Sequence, residues 1–207
     1  RTGLGITGLG DALAALNIRY ASESAVSMTD TIFKKLAVAA NSSSVTLAEE
    51  RGPFPVFVHG RSDGHPFMER LLAESSEDVR SRYKKYGRRN IALTTTAPAG
   101  SVSTQTQTTS GIEPAYLLSY KRRKKINPND ATSKVDFVDD LGDKWQEFEV
   151  YHHGFKEWMK VSGKTDVKDS PYWKATSNDI DWMASIDMQA AAQRWIEHSI
   201  SKTCNLF

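Results

Sequence analysis

The chain of 207 residues holds a single cysteine, Cys204. One thiol excludes an intrachain disulfide and a zinc site built from several cysteines, and it suits a reducing compartment. Long apolar runs are missing as well, since none approaches the roughly 20 residues that cross a bilayer. The N-terminus lacks the apolar core of a secretory signal, so the expected location is the cytoplasm, with no membrane partner. An excess of either charge is also absent. The 27 basic and 25 acidic residues leave a formal net charge of +2, which gives no pull toward nucleic acid or an anionic membrane. What remains is the composition of a folded domain, 39% hydrophobic and 25% charged, at a length that suits one large domain or two small ones. The chain opens on Arg1-Thr2-Gly3 and closes on the apolar Leu206-Phe207. Both ends are expected to be cut from something longer.

Gly3, Gly5, Gly8 and Gly10 punctuate an apolar opening, and Asp11–Leu16 follows as a short helix. Ser22 or Ser24 can cap a longer one. In it Ala25, Met28, Ile32, Leu36 and Ala39 recur at spacings of three and four, while Asp30, Lys34 and Asn41 lie off that stripe. It runs on toward Glu50, and Gly52-Pro53 ends it. Residues 53–66 read as loop, and short helices are predicted at Pro66–Glu74 and Ser76–Tyr86. The Thr-rich apolar run 91–96 reads as a buried strand and Ala115–Lys121 as a second. Asn127–Asp130 is a turn. Residues 137–161 carry helical spacing through Trp145, Phe148, Tyr151 or His152, Phe155, and Trp158 or Met159. After Pro171-Tyr172-Trp173, a last helix is predicted over about 180–200. Ala184, Met188, Ala191, Ala192, Trp195 and Ser199 share one of its faces, and Arg194 and Glu197 point elsewhere. Lys202–Phe207 reads as a strand. Strands separated by helices imply an α/β arrangement with parallel pairing. Residues 126–175, opening with the polar stretch 126–136, are a candidate inserted excursion.

Residues 90–116 carry the chemistry. A short apolar run enters Ala97-Pro98-Ala99-Gly100 and opens into the hydroxyl-rich Ser101-Val102-Ser103-Thr104. No Lys or Arg lies between Asn90 and Ser119, so an anion held here must use backbone N–H groups of about Ala99 to Ser103. A helix starting near Ser101 adds roughly half a positive charge at its first turn. Gly100 has no Cβ to keep a ligand away. Pro98 stiffens the entry and has no N–H, so the donors begin after it. The hydroxyls of Ser101, Ser103 and Thr104 can add to them. A strand, loop and helix cap without any ligand fits the same residues, because the loop matches none of the common phosphate motifs.

Several segments in order carry a resemblance. The run Ala97-Pro98-Ala99-Gly100-Ser101-Val102-Ser103, followed by Thr109-Ser110-Gly111-Ile112-Glu113-Pro114, resembles the large catalytic chain of ribonucleotide reductases, above all the adenosylcobalamin-dependent class II enzymes. Gly3-Leu4-Gly5-Ile6-Thr7-Gly8-Leu9-Gly10-Asp11-Ala12-Leu13, Ser119-Tyr120-Lys121-Arg122, Asp181-Trp182, Met188-Gln189 and His198-Ser199-Ile200-Ser201-Lys202-Thr203 with Asn205-Leu206 are similar to further family segments. The likeness covers almost the whole chain and is weakest over 126–175.

The resemblance implies an α/β fold, the C-terminal portion of a ten-stranded α/β barrel, with 1–207 as part of a single catalytic barrel domain. It implies removal of the ribonucleotide 2′-hydroxyl by radical chemistry started from adenosylcobalamin. It assigns Pro98, Ala99, Gly100, Ser101 and Val102 to the substrate phosphates, with Ser103 just beyond. The implied partners are the ribonucleotide, the remainder of the reductase chain and deoxynucleotide effectors bound elsewhere. The family's Asn-x-Cys-x-Glu radical loop and its electron-supplying cysteine pair are absent from these 207 residues. That loop is expected upstream of Arg1, and the chain alone is expected to be inactive. Cys204 reads as a buried strand thiol. A stand-alone phosphate- or nucleotide-binding α/β module is the alternative.

Other features carry plainer readings. Gly3-Leu4-Gly5-Ile6-Thr7-Gly8 matches the dinucleotide pattern, but only Arg1 and Thr2 precede it where a strand is required. Close packing of the following helix against other backbone is the plainer expectation. Lys121-Arg122-Arg123-Lys124-Lys125 is expected to be a solvated strand end rather than a nucleic-acid site. His152-His153 diverge if helical and do not share a metal. Glu113 can serve the chemistry or stabilise its turn.

Overall fold

The computed structural model describes residues 1–130 and 132–205. Helix α1, Leu9–Ala15, leads into α2, Glu23–Arg51. The Ser22 hydroxyl accepts the Ala25 N–H at 3.2 Å, and Gly52 at φ 76° ends α2 before Pro53, both local signals. Helices α3, Pro66–Ala73, and α4, Glu77–Tyr86, follow, the first with Pro66 in its opening turn and the second capped by Ser76. All of this agrees with the expected elements.

The buried line of α2 is a correction. It runs through Ala25, Thr29, Phe33, Ala37, Asn41 and Val45, one residue round from the predicted stripe. Met28, Ile32 and Leu36 are half-buried and Ala39 is exposed. Small side chains on the buried line let α7, introduced below, approach closely, and α3 and α4 cover further sides. A helix enclosed on several sides shares its apolar residues among them, so the strongest sequence stripe need not mark its deepest face. Phe33 is fully buried in the main core, which also holds Leu9, Leu13, Leu71, Met188 and Trp195.

The run 91–96 is extended but forms no regular strand. It makes isolated parallel bridges, Thr94 to Leu4 on one side and Thr96 to Ile200 on the other. Leu4 N–H donates to Leu93 O at 2.8 Å and Thr95 N–H to Leu4 O at 2.9 Å. Thr96 N–H donates to Ser199 O at 3.0 Å and Ser201 N–H to Thr96 O at 2.9 Å. Three extended segments thus lie parallel with 92–96 in the middle. A further parallel bridge joins Ala115 to Thr176. The fold is α/β, and the described residues do not close a barrel.

The regular sheet lies elsewhere and is antiparallel. Strands β1, Ser119–Lys125, β2, Phe137–Val138, and β3, Lys144–Tyr151, are ordered β1-β3-β2. The second predicted strand therefore begins at Ser119 rather than Ala115. The single helix predicted over 137–161 is wrong in its first half, and only α6, His153–Ser162, is helical there. Asp139 explains the difference. Its carboxylate accepts the N–H groups of Leu141 and Asp143 at 3.1 and 2.8 Å and the Trp145 indole N–H at 2.9 Å, which reverses the chain and lays β3 along β2. Aromatic residues three and four apart then fall on a strand by coincidence.

The last helix, α7, is shorter than predicted, Trp182–Gln193, with Asp181 as its cap. Ser199 belongs to an extended segment and not to the helical face. Residues 202–205 form no strand, and Leu206 and Phe207 of that predicted strand lie outside the described residues, as does Ala131 of the polar stretch. Cys204 is exposed rather than buried, because no strand partner covers it. Among the described residues no helix is long and apolar enough to cross a membrane.

Candidate functional site

The central extended segment leaves the core at Ala97 and turns through Pro98 and Ala99 into α5, Gly100–Thr106. Ala99 adopts φ 52°, a left-handed conformation uncommon for a residue with a Cβ. The helix begins one residue before the expected Ser101. The N–H groups of Gly100, Ser101 and Val102 have no carbonyl to meet within the helix, and all three residues are exposed. The space beside Gly100 is open, with no atom within 4 Å of where a Cβ would stand. Not every expected donor is free. Ser103 N–H donates to Ala99 O at 2.8 Å, and the Ser103 and Thr104 hydroxyls donate to Gly100 O at 2.8 and 3.0 Å. Intrahelical bonding therefore narrows the donors to the first turn and the Ser101 hydroxyl. Pro98 accepts the Ser110 hydroxyl through its carbonyl, which ties the loop to the following segment.

That segment, 108–114, packs on the glycine-rich opening. Gly8 N–H donates to Thr109 O at 2.9 Å and Leu9 N–H to Gly111 O at 3.2 Å. A Cβ on Gly10 would stand 2.7 Å from Glu113 O, so only glycine permits this approach. The glycines serve backbone packing, as the plainer reading of the dinucleotide-like pattern expects. Glu113 binds the buried Lys202 ammonium at 2.7 Å and the Thr203 N–H at 2.6 Å. It fastens its turn to the C-terminal segment.

Two further carboxylates were not legible as site residues. Asp11 Oδ1 meets His152 Nε2 at 2.6 Å and the Tyr172 hydroxyl at 2.9 Å, and Oδ2 accepts Thr109 N–H at 2.8 Å. A Cβ on Gly154 would lie 2.7 Å from Asp11 Oδ1, so glycine in the first turn of α6 lets the carboxylate reach that helix end. Burial alone would raise the Asp11 pKa. The hydrogen bond and charge of His152, the Thr109 N–H and the Tyr172 hydroxyl outweigh it and hold the group below its ordinary value. The same burial and the neighbouring Asp11 charge push the Tyr172 phenol up. Glu197, expected to point away from the core, pairs with Arg88 at 2.7 Å and accepts the Leu93 N–H. Both side chains of that pair are only 9% exposed.

A cavity of about 1030 Å³ opens beside these groups, with Ser103, Thr108, Glu113, Tyr116, His152 and Lys156 on its wall. It lies past the carboxyl ends of the extended segments 92–96 and 198–201, where α/β proteins place ligands. Of the residues Pro98–Ser103, only Ser103 is on this wall. Pro98, Ala99, Gly100, Ser101 and Val102 form a separate, more exposed shelf.

A family model described as "Ribonucleotide reductase, barrel domain" matches residues 1–206. The chain belongs to that family. A vitamin B12-dependent ribonucleoside-diphosphate reductase of Mycobacterium tuberculosis (strain CDC 1551 / Oshkosh) is 30% identical over 220 residues, spanning 100% of this chain and 27% of the relative. Another so named, from Thermoplasma acidophilum, is 27% identical over 212 residues, spanning 100% of this chain and 24% of the relative. The ribonucleoside-diphosphate reductase subunit alpha of Chlamydia muridarum is 30% identical over 132 residues, 55% of this chain and 13% of that subunit. The chain spans about a quarter of the length of the vitamin B12-dependent relatives it matches. In this chain the glycine-rich opening packs on the 109–114 turn through backbone bonds, and the Ser110 hydroxyl ties that turn to the 97–103 loop.

Proposed function

We propose that this chain is the C-terminal portion of a ribonucleotide reductase catalytic barrel, and that Pro98–Ser103 holds the substrate phosphates. The carrying observation is the open first turn of α5, where the N–H groups of Gly100, Ser101 and Val102 meet no helical carbonyl and nothing crowds Gly100. Polarised N–H groups at a helix start bind phosphate without a lysine. Ser101 adds a hydroxyl donor. Ser103 shapes the turn through its bond to Gly100 O rather than by touching the anion. The cavity beyond Ser103 then has room for the ribose and base.

The partial-barrel reading rests on the open edges. Among the described residues the Leu4 and Ile200 segments each bridge on one side only, which disfavours a self-contained module whose strand edges are all covered. Residues 126–175, with β2, β3 and α6, are an excursion from that barrel. The parent enzyme converts ribonucleotides to 2′-deoxyribonucleotides in the cytoplasm, with effectors bound outside this piece.

Adenosylcobalamin would supply the initiating radical. One exposed thiol cannot serve as radical carrier and reducing pair together, so residues 1–207 will not turn over ribonucleotides with cobalamin and a dithiol.

The phosphate shelf is tested in the complete enzyme. Gly100→Val places methyl groups in open space, so the melting temperature holds while substrate affinity collapses. Ser101→Ala weakens equilibrium substrate binding by about 1–3 kcal/mol, the value of a charge-assisted hydrogen bond. Unchanged affinity in Gly100→Val would put the phosphates elsewhere.

A further inference from the structure

The β1-β3-β2 hairpin has two unlike faces. Side chains alternate along a strand, and the register assigns Lys121, Arg123 and Lys125 to one face with Glu147, Glu149 and Trp145. Every cation there has a carboxylate partner. Arg123 meets Glu147 at 2.9 Å, Lys121 meets the same carboxylate at 3.8 Å, and Lys125 pairs with Asp143. The Arg123 guanidinium also lies 4.6 Å over the Phe137 ring.

The opposite face holds Tyr120, Arg122 and Lys124 of β1 across from Val150, Phe148 and Gln146, with Val138 and Lys144 beside them. Arg122, Lys124 and Lys144 make no ion pair among the described residues, and no carboxylate of β1 or β3 shares this face. Phe148, across from Arg122, and Tyr120, at the start of β1, are both exposed on this face. At the outer edge of the sheet, β1 pairs only with β3 among the described residues, and its seven residues are all exposed.

We propose that this face and edge dock an extended acidic segment of a partner polypeptide, added antiparallel or parallel to β1 as a further strand. An added strand satisfies the free N–H and C=O groups of β1. Its two-residue repeat sets carboxylates beside Arg122 and Lys124 on this face and turns the intervening side chains to the opposite one. The edge decides for polypeptide over nucleic acid, because a polynucleotide pairs with no strand backbone, and the net charge of +2 gives no field to gather one.

The test is fluorescence anisotropy on the complete enzyme that contains this chain, with a labelled octapeptide alternating threonine and glutamate. Saturable binding that weakens with added salt is expected. Arg122→Gln with Lys124→Gln weakens it roughly tenfold or more, while Lys121→Gln on the carboxylate-bearing face leaves it unchanged. Methylating alternate peptide amides on one edge abolishes binding. The doubly reversed variant Arg122→Glu, Lys124→Glu takes the lysine version of the octapeptide instead, which rescues the interaction with its sign inverted. Absence of saturable binding, an equal loss in Lys121→Gln, or tighter binding of a labelled oligothymidylate overturns the proposal.

Discussion

Phe33 and Phe148 are the same side chain in two solvents. Phe33 is 0% exposed on α2 between helices, and Phe148 is 40% exposed on β3. The ion pairs divide the same way. Arg88–Glu197 is buried under the central extended segment, while Arg123–Glu147 lies on the surface of the hairpin with the arginine side chain 62% exposed. In the core, water has been excluded and the Arg88–Glu197 pair depends on its protein contacts. On the hairpin, water competes for every contact, so the pairs shape the surface more than they stabilise the fold.

The comparison breaks most directly at Phe33. Phe33→Ala is expected to cost about 3–5 kcal/mol in a urea melt, the cavity and transfer cost of a buried ring, whereas Phe148→Ala leaves stability nearly unchanged. Equal losses would erase the distinction between the regions. Glu197→Gln comes next, with a loss of about 3 kcal/mol because Arg88 is left buried without its counter-charge. A near-neutral result would mean that water reaches the pair.

Asp11 lies between the two regions and sharpens the contrast through pH. Its carboxyl is held below the ordinary value of 3.8 in the folded chain. The unfolded chain therefore takes up the proton first as pH falls. The stabilisation is complete above about pH 4 and is lost as pH drops through the depressed folded value. Asp11→Asn is expected to cost about 1–2 kcal/mol at neutral pH and to flatten the acid limb of stability measured from pH 5 to pH 2. An acid limb identical to wild type would remove Asp11 from the account. The smallest effect belongs to Arg123→Gln, about 0.5 kcal/mol or less by thermal melt, and a loss of several times that would make the hairpin core-like.

Helix ends were the most legible part of the fold. Ser22, Gly52 and Ser76 act within one turn of where they stand, so their neighbours in sequence are their neighbours in space. The hairpin was misread because helical spacing of Trp145, Phe148 and Phe155 says nothing about a reversal that depends on one carboxylate, Asp139, bonding across its own turn. The 97–103 loop was placed correctly between an extended run and a helix. The loss of Ser103 and Thr104 as free donors was not legible, since both hydroxyls turn back to Gly100 O only once the helix has formed.

By itself the sequence determined the caps, the glycines that admit close backbone, and the ordered segments that resemble the reductase family. Each is local or a pattern read along the chain. The tertiary structure alone decided that Asp11 meets His152, 141 residues away, that Arg88 meets Glu197, 109 residues away, and which face of β1 is left without counter-charge. The reason is that a charge or hydrogen bond acts over a few ångströms, and which groups come that close is settled by how helices and strands pack, not by their order in the chain.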